Sequence, residues 1–232
     1  MKKTKSSPTE KSHFLGHRQR LRKKFALNPT YLTDYELLEL LLFYVFPRKD
    51  TKPTAKKILE QFKTLRGVVF ANKSDLEGVG GVGESSAHLL TLIHEIFNRI
   101  LLGQIQESAS IMSVSQVSDY YKSLLEQQKK EQFRVMFLNN KNKLIAEELM
   151  YEGTVNNTAV YPREIVQKAL NYGACAIIMV HNHPGGDPKP SRQDIIMTKT
   201  IKELLQKLDM DLLDHLIIGK NSVTSFRDIG II

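Results

Sequence analysis

The chain of 232 residues is long enough for one large domain or two small ones, and its content of 41% hydrophobic and 25% charged residues is typical of globular proteins. This composition excludes a chain that is disordered throughout, and no apolar stretch approaches the roughly 20 residues of a membrane helix. A single cysteine, Cys175, excludes an internal disulfide and a zinc site built from a cysteine cluster. We therefore predict a soluble, cytoplasmic protein with no membrane partner.

The net charge of +8 is distributed unevenly along the chain. Residues 1–105 carry 18 Lys and Arg against 10 Asp and Glu, whereas the remaining residues carry 15 of each kind. A basic half of this kind is either an ordinary solvated surface or a surface for a polyanion such as DNA. The charge alone leaves both interpretations open.

The first half of the chain has the patterns of a helical domain. Residues 1–12 are predicted to form a disordered basic tail, and the periodic patterns in residues 13–102 are all helical. Apolar residues at helical spacing predict helices near Tyr35–Phe46 and Pro53–Phe62. A glycine-rich turn around Gly81 then leads into another helix, as in a helical hairpin.

The second half of the chain has a different organisation. Residues 103–113 lose the helical periodicity and are rich in small polar residues, so we predict a linker there. In residues 114–232 strand and helix patterns alternate, which predicts an α/β domain. The apolar run Ala174–Val180 predicts a strand that is buried on both faces, with Cys175 as a small packed side chain.

The strongest functional signal follows this strand. His181 and His183 are two residues apart in an extended segment and therefore project to the same side. Asp194 falls in the first turn of the next helix, and the intervening loop, rich in proline and glycine, can fold that turn back over the histidines. Two imidazole nitrogens and one carboxylate oxygen suit Zn²⁺, with a fourth position for a water molecule whose pKa zinc lowers towards about 7. The pattern predicts one zinc ion per chain.

A simpler interpretation of the same residues exists. Ser191 and Asp194 have the spacing of a capping box, so by themselves they predict only the start of a helix. A lone H-x-H pattern is likewise often just the polar end of a strand. The metal site is favoured because all these residues converge at the mouth of one buried strand, where α/β proteins place their sites.

The chain also resembles a known family. The spacing H-x-H-x7-S-x2-D matches the JAMM (MPN+) metallopeptidase motif. The chain is also similar to the RadC family in the longer stretch HNHPGGDPKPSRQD, in VYPRE upstream of it and in LLDHLIIG downstream. The stretches GHRQRLRKKF, TDYELLELLLF and TKPTAKKIL extend the resemblance to the N-terminal half. The resemblance implies two domains: an all-α helix-hairpin-helix domain and an α/β domain with a JAMM/MPN-like mixed sheet.

The resemblance assigns roles to individual residues. It implies that His181, His183 and Asp194 bind zinc, and that Ser191 helps to stabilise the oxyanion of a tetrahedral intermediate. It also implies an upstream glutamate that acts as general base and acid. Glu131, at the start of a predicted strand, matches this position best.

Four further residues qualify this assignment. Glu147 and Glu148 compete with the proposed glutamate, but they lie on opposite faces of one strand, so only one can point inward. Asn182 stands where many JAMM enzymes have Ser or Thr between the two histidines. His215 could support one of the metal ligands or act as a fourth ligand itself, but it is more readily interpreted as a hydrogen-bonded structural histidine.

Gly81, Val82 and Gly83 resemble the hairpin of a helix-hairpin-helix module. Such a hairpin presents backbone N–H groups at a helix N-terminus to a DNA phosphate, independently of sequence. An ordinary αα-hairpin, in which the glycines only make the turn, is the alternative. The segment Glu84–Ser86 lacks the expected basic residue, which weakens the DNA interpretation. A basic cluster supports it: Arg18, Arg20, Arg22, Lys23 and Lys24.

Two hypotheses about function result. The first is a zinc-dependent hydrolase of the JAMM type that cleaves a peptide or isopeptide bond in an unknown peptide or protein substrate, with Glu131 moving the proton. The second is a DNA-associated binding protein, in a repair or recombination context, whose zinc site is structural or inactive. A zinc-dependent nucleobase deaminase is excluded, since it needs a P-C-x-x-C element and the chain has one cysteine.

Overall fold

The computed structural model describes residues 9–107, 114–153 and 160–232. The chain divides into two compact units, Met1–His94 and Glu95–Ile232. The first unit is helical and the second combines a mixed five-stranded sheet with helices, so the predicted fold class is confirmed. Within the described ranges, no helix is both long enough and apolar enough to cross a membrane.

The first unit is built from helices around an apolar core. Its elements are α1 (Thr9–Leu27), a 3₁₀ turn (Pro29–Tyr31), α2 (Asp34–Leu42), α3 (Lys52–Phe62), α4 (Leu65–Val69), α5 (Lys73–Glu77) and the beginning of α6 (Glu84–Glu107). Capping explains where α2 begins, because Glu36 Oε2 accepts the backbone N–H of Thr33 at 2.9 Å. The core includes Leu38, Leu42, Ala55, Ile58, Val68, Leu76, Val82 and Leu90.

Helix α6 is longer than the sequence predicts. It contributes Leu90 to the core of the first unit and Ile105 to the core of the second. Residues 103–107, the beginning of the predicted linker, are therefore helical. A glycine inside a helix costs about 1 kcal/mol, and the burial of Ile105 offsets this cost at Gly103. The rest of the predicted linker, residues 108–113, lies outside the described residues.

Two other element boundaries differ from the prediction. α1 begins at Thr9, so residues 9–12 of the predicted disordered tail are helical, while residues 1–8 lie outside the described part of the chain. α2 ends at Leu42 instead of Phe46. Pro47 disfavours helical geometry in the residue before it, and the chain approaches it through turns.

The described residues of the second unit form one sheet and, after α6, three helices. In chain order its elements after α6 are α7 (Val114–Leu125), β1 (Glu131–Leu138), β2 (Leu144–Gly153), α8 (Pro162–Asn171), β3 (Ala176–Asn182), α9 (Arg192–Gln206), β4 (Asp211–Ile218) and β5 (Val223–Ser225). The strand order is β2-β1-β3-β4-β5. β3 and β4 are parallel and are connected through α9, while the other neighbours are antiparallel.

The sheet has a different apolar layer on each face. One layer packs β1 and β3 against α7 and the end of α6, with Tyr121 and Met136 fully buried. The other layer packs the same strands against α8 and α9, with Phe133, Ile165 and Ile201 buried. Burial on both faces explains why the sequence of β3 lacks polar alternation.

The central strand β3 is displaced from its predicted position. The chain enters the sheet at Ala176, and the preceding Cys175 is exposed, so the expectation that Cys175 is a packed side chain is wrong. At the other end the ladder continues through His181 and Asn182, which are opposite Ile217 and Ile218 of β4. One of the two predicted histidine ligands is therefore held within the sheet.

Candidate metal centre

Three of the predicted site residues meet at the carboxyl end of β3. His181 is the penultimate residue of the strand, His183 follows the strand, and Asp194 is in the first turn of α9. His181 Nε2 lies 3.1 Å from His183 Nε2 and 3.4 Å from Asp194 Oδ1, and His183 Nε2 lies 3.6 Å from Asp194 Oδ2. Candidate ligand atoms of all three residues lie within 4.8 Å of one another.

This donor set fits a zinc ion. Ligand atoms about 2.0–2.1 Å from a tetrahedral zinc ion are about 3.3 Å from each other, close to the separations found here. The ring orientation of His183 also agrees, because its Nδ1 lies 2.8 Å from the backbone oxygen of Asp187. Since the carbonyl can only accept, Nδ1 donates, and a neutral ring keeps its lone pair on Nε2, the nitrogen that faces the other two residues.

The start of α9 serves both as a helix cap and as part of the cluster. Ser191 Oγ accepts the backbone N–H of Asp194 at 3.1 Å, and Asp194 Oδ2 accepts the backbone N–H of Ser191 at 2.7 Å. The capping box expected from the simpler interpretation is thus formed. It occupies one carboxylate oxygen and directs the other, Oδ1, towards His181. Capping therefore orients the candidate ligand instead of competing with it.

The close contacts within the cluster shift the pKa values of its members. Burial by itself would raise the pKa of Asp194, but the adjacent imidazoles of His181 and His183 and the hydrogen bond from Ser191 outweigh it and hold this pKa well below its usual range. The hydrogen bond with Asp194 raises the pKa of His183. Complete burial lowers the pKa of the neighbouring His215 well below its usual value. A permanent negative charge is therefore held beside the two histidines.

A cavity of about 710 Å³ opens beside the cluster. Its polar lining includes Glu131, His183, Ser191 and Asp194, and its apolar wall is formed by Phe133, Val160, Pro162, Ile196 and Met197. Apolar walls with a few convergent polar groups are typical of ligand sites. The structure thus places the predicted glutamate and serine on the same cavity as two of the candidate ligands, His183 and Asp194.

The register of the sheet explains the position of Glu131. Phe133 of β1 is directly opposite His181 of β3, so their side chains lie on the same face, and their rings stack with centroids 5.9 Å apart. Glu131 precedes Phe133 by two residues and therefore points to that face as well. It lies near enough to His183 to raise the pKa of that histidine.

The two competing glutamates are engaged elsewhere. Glu147 forms a 2.7 Å ion pair with Arg134 and contacts Tyr121, on the α7 side of the sheet. Glu148 is on the α8 side, where it pairs with Lys168 at 3.2 Å and accepts the hydroxyl of Tyr172. Neither residue lines the cavity beside the histidines.

Two neighbours of the cluster make contacts that the sequence did not show. The ring of His215 contacts His181, with Nε2 2.8 Å from His181 Nδ1. The side chain of Asn182 bonds the backbone of β1 on both sides of Glu131: Oδ1 accepts from Gln132 N–H at 2.8 Å, and Nδ2 donates to the Lys130 carbonyl at 3.1 Å. The departure of Asn182 from the usual Ser or Thr is a sequence signal that pointed to this position.

The remaining predicted site residues, Gly81, Val82 and Gly83, lie in the first unit. They belong to the connection between α5 and α6, in which Gly81 has a φ of 100° and Val82 is buried in the core of that unit. A positive φ favours glycine at this turn.

One comparison with known proteins bears on the second unit. The model of the family described as the RadC-like JAB domain matches residues 111–231, just over half of the chain. The match contains every element from α7 to β5 and all the residues of the candidate metal centre.

Proposed function

Because the chain belongs to the RadC-like JAB domain family, and so to the JAMM/MPN family in general, we propose that it is a zinc-dependent hydrolase that cleaves a peptide or isopeptide bond. The observation that carries the proposal is the cluster of His181, His183 and Asp194, two of which line one cavity together with Glu131 and Ser191. A carboxylate beside a metal site, outside its ligand set, is the arrangement that metal-assisted hydrolysis requires.

The proposed roles follow from the free atoms of each residue. His181, His183 and Asp194 would hold one Zn²⁺ per chain through Nε2, Nε2 and a carboxylate oxygen. A bound zinc ion supplies Lewis acidity, which lowers the pKa of water and polarises a carbonyl group. Glu131 would accept a proton from the attacking water and deliver it to the leaving amine.

Ser191 retains a proton to donate. Its Oγ accepts the N–H of Asp194, which uses a lone pair and leaves the hydroxyl hydrogen available. Ser191 is exposed and lines the cavity, so this hydrogen can reach an oxyanion that develops on the substrate.

The first experiment measures zinc per chain by elemental analysis, in the wild type and in His183→Ala, and then hydrolysis of a panel of peptides and lysine-linked isopeptides. We expect one zinc ion per wild-type chain and less in the variant. Glu131→Gln should keep the metal and lower the hydrolysis rate by about 10²–10⁴-fold. Glu148→Gln is the matched control, because it makes the same change on β2, on the face of the sheet to which Glu131 of β1 points. A protein without stoichiometric metal, in which His183→Ala changes no activity, would refute the proposal.

A second candidate function is DNA binding by the first unit, with a zinc site that is structural or inactive. Sequence reasoning found no basic residue directly after the hairpin Gly81-Val82-Gly83. The observation that favours DNA binding is a lysine from another helix: Lys57 Nζ of α3 lies 3.9 Å from where a Cβ on Gly80 would be. A cation beside the exposed glycine turn that precedes α6 suits a phosphate group.

Salt-dependent affinity for duplex, branched and single-stranded DNA tests this second candidate. Lys57→Gln should weaken binding and reduce the slope of log affinity against log salt by about one. Lys199→Gln, an exposed change in α9, should leave both unchanged. Absence of affinity for all three forms of DNA near 0.15 M salt, roughly physiological ionic strength, would exclude the candidate.

A further inference from the structure

A buried chain of hydrogen bonds leads from one candidate ligand to another through two residues that have no proposed role. His181 Nδ1 lies 2.8 Å from His215 Nε2, and His215 Nδ1 lies 2.7 Å from Thr198 Oγ1. Thr198 Oγ1 lies 2.6 Å from the backbone oxygen of Asp194. Thr198 and His215 are completely buried, and His181 is 1% exposed. The chain therefore begins at the backbone of one candidate ligand and ends at the ring of another.

The chemistry of the groups fixes the direction of every hydrogen bond. The Asp194 carbonyl can only accept, so the single hydroxyl hydrogen of Thr198 is donated to it. Thr198 Oγ1 must then accept a hydrogen from His215 Nδ1. A neutral His215 is left with a lone pair on Nε2, which accepts the hydrogen on His181 Nδ1. In this arrangement the lone pair of His181 is on Nε2, the nitrogen that faces His183 and Asp194.

The surroundings of His215 favour the neutral ring that this arrangement needs. The ring stacks on Phe226 at 4.6 Å and meets Phe133 edge-on at 5.7 Å. The carboxylate of the adjacent Asp214 is directed to the backbone N–H groups of His215 and Arg227 and to the hydroxyl of Ser225. An apolar enclosure disfavours a charged imidazole. A charged His215 would donate to His181 Nδ1 and so place a hydrogen on the nitrogen that must bind metal.

We propose that Thr198 and His215 are positioning residues that fix the tautomer of His181 and thereby present its Nε2 lone pair to the metal. This inference rests on the metal-binding part of the proposed function and not on hydrolysis. Metal-ligating histidines usually donate their second N–H to a carboxylate or a backbone carbonyl. Here a second, neutral histidine takes that place, and the threonine determines which of its nitrogens is the acceptor.

The first test compares zinc affinities by competition with a chromophoric chelator. Thr198→Val removes the acceptor for His215 Nδ1–H, so His215 places its hydrogen on Nε2 and donates to His181. Binding of zinc then requires the rings of both His181 and His215 to change tautomer, and we expect the affinity for zinc to fall by about 10- to 100-fold. Thr198→Ser retains the hydroxyl and should stay within about threefold of the wild type. Thr91→Val removes the same kind of bond, to the Ala87 carbonyl at 2.9 Å in α6, and is the matched control.

The second test measures the tautomers directly in the metal-free wild type by long-range ¹H–¹⁵N NMR of the histidine rings. We expect hydrogen on Nδ1 of both His181 and His215, and on Nε2 of both in Thr198→Val. Hydrogen on Nε2 of His181 in the wild type would overturn the inference, even if the valine variant fails to fold. Equal zinc affinity in a folded Thr198→Val would overturn it too. A protein that passes both tests but cleaves no substrate would refute only the hydrolase proposal.

Discussion

The side-chain oxygen of Asn182 accepts the backbone N–H of Gln132 at 2.8 Å, across 50 residues of sequence. The observed pairing of β1 with β3 ends at Phe133 and His181, so this side chain joins the two strands where their backbone ladder stops. Its nitrogen bonds the carbonyl of Lys130, on the other side of Glu131. One buried amide thus holds the segment that carries the proposed proton-transfer residue.

Replacing this amide should loosen the start of β1 without removing a metal ligand. Asn182→Ala leaves the buried N–H of Gln132 without this partner and releases the carbonyl of Lys130, and we expect the free energy of unfolding to fall by about 2 kcal/mol. Hydrogen exchange at the Gln132 amide should become faster, while zinc affinity changes by less than about threefold. Chemical unfolding, amide exchange and chelator competition measure the three effects.

Asn140→Ala provides the comparison, because Asn140 is an exposed residue of the turn between β1 and β2. It should leave the exchange rate of Gln132 unchanged. If the Gln132 amide exchanges equally slowly in Asn182→Ala, the amide bridge does not hold β1 in solution.

Metal removal gives a second prediction. Zinc at about 100 times its dissociation constant should stabilise the folded chain by about 2.7 kcal/mol, since an unfolded chain lacks the assembled site. A chelator should therefore lower the unfolding temperature of the wild type. His183→Ala, in which one of the three candidate ligands is missing, should unfold at nearly the same temperature with and without chelator. Calorimetry of both proteins measures the difference. A chelator shift of equal size in both would place the stabilising metal elsewhere.

Much of the second unit could be predicted from the sequence because its patterns are local. The apolar run of β3, the proline at the start of α8 and the capping residues of α9 are each visible within a few positions. The continuation of α6 past Gly103 could not be predicted in this way. It depends on the burial of Ile105 in the apolar core of the second unit, which a single sequence does not show.

The candidate site likewise combines local patterns, which the sequence shows, with long-range contacts, which it does not. His181, His183 and Asp194 could be grouped from their spacing, because a strand end and the next helix start are joined by a short loop. The contacts of His181 with His215 and of Asn182 with Gln132 span 34 and 50 residues. They depend on which strands are neighbours and on their register, and neither can be read from one sequence.

The loop that carries Asp187 provides a third prediction. Gly219, after β4, lies so close to this loop that a Cβ would be 2.5 Å from the Gly186 oxygen and 2.7 Å from Pro188 Cδ. Gly219→Ala must therefore displace the loop, including the Asp187 carbonyl that His183 contacts. We expect a loss of about 1–3 kcal/mol in stability and a weaker affinity for zinc.

Gly103→Ala is the matched substitution, and we expect it to raise the stability that Gly219→Ala lowers. A Cβ on Gly103 has no atom within 4 Å, and the residue is inside α6, so alanine should stabilise the chain by about 0.5–1 kcal/mol. Unfolding and chelator titrations of both variants make the comparison. If Gly219→Ala matched Gly103→Ala in stability and zinc affinity, the loop would not depend on this close approach.

The last prediction concerns Glu39 in the first unit. Burial raises the pKa of Glu39 above the ordinary value of 4.5, although Oε1 lies 2.9 Å from His17 Nε2. Its other oxygen is buried without a hydrogen-bond partner among the described residues. A raised carboxyl pKa means that the folded chain holds the proton more tightly than the unfolded chain. The free energy of unfolding therefore falls as the pH rises from about 4.5 through the raised pKa.

Glu39→Gln removes this ionisation. The free energy of unfolding of the variant should therefore fall less than that of the wild type between about pH 5 and pH 8, a range that lies above the ordinary carboxyl pKa. Each unit by which burial raises the pKa corresponds to about 1.4 kcal/mol. Urea unfolding at the two pH values measures the difference. Glu60→Gln, an exposed change in α3, should follow the wild type at both. If Glu39→Gln shows the same change in the free energy of unfolding as the wild type, burial does not destabilise the ionised carboxylate of Glu39. It would then not limit the stability of the helical unit at neutral pH.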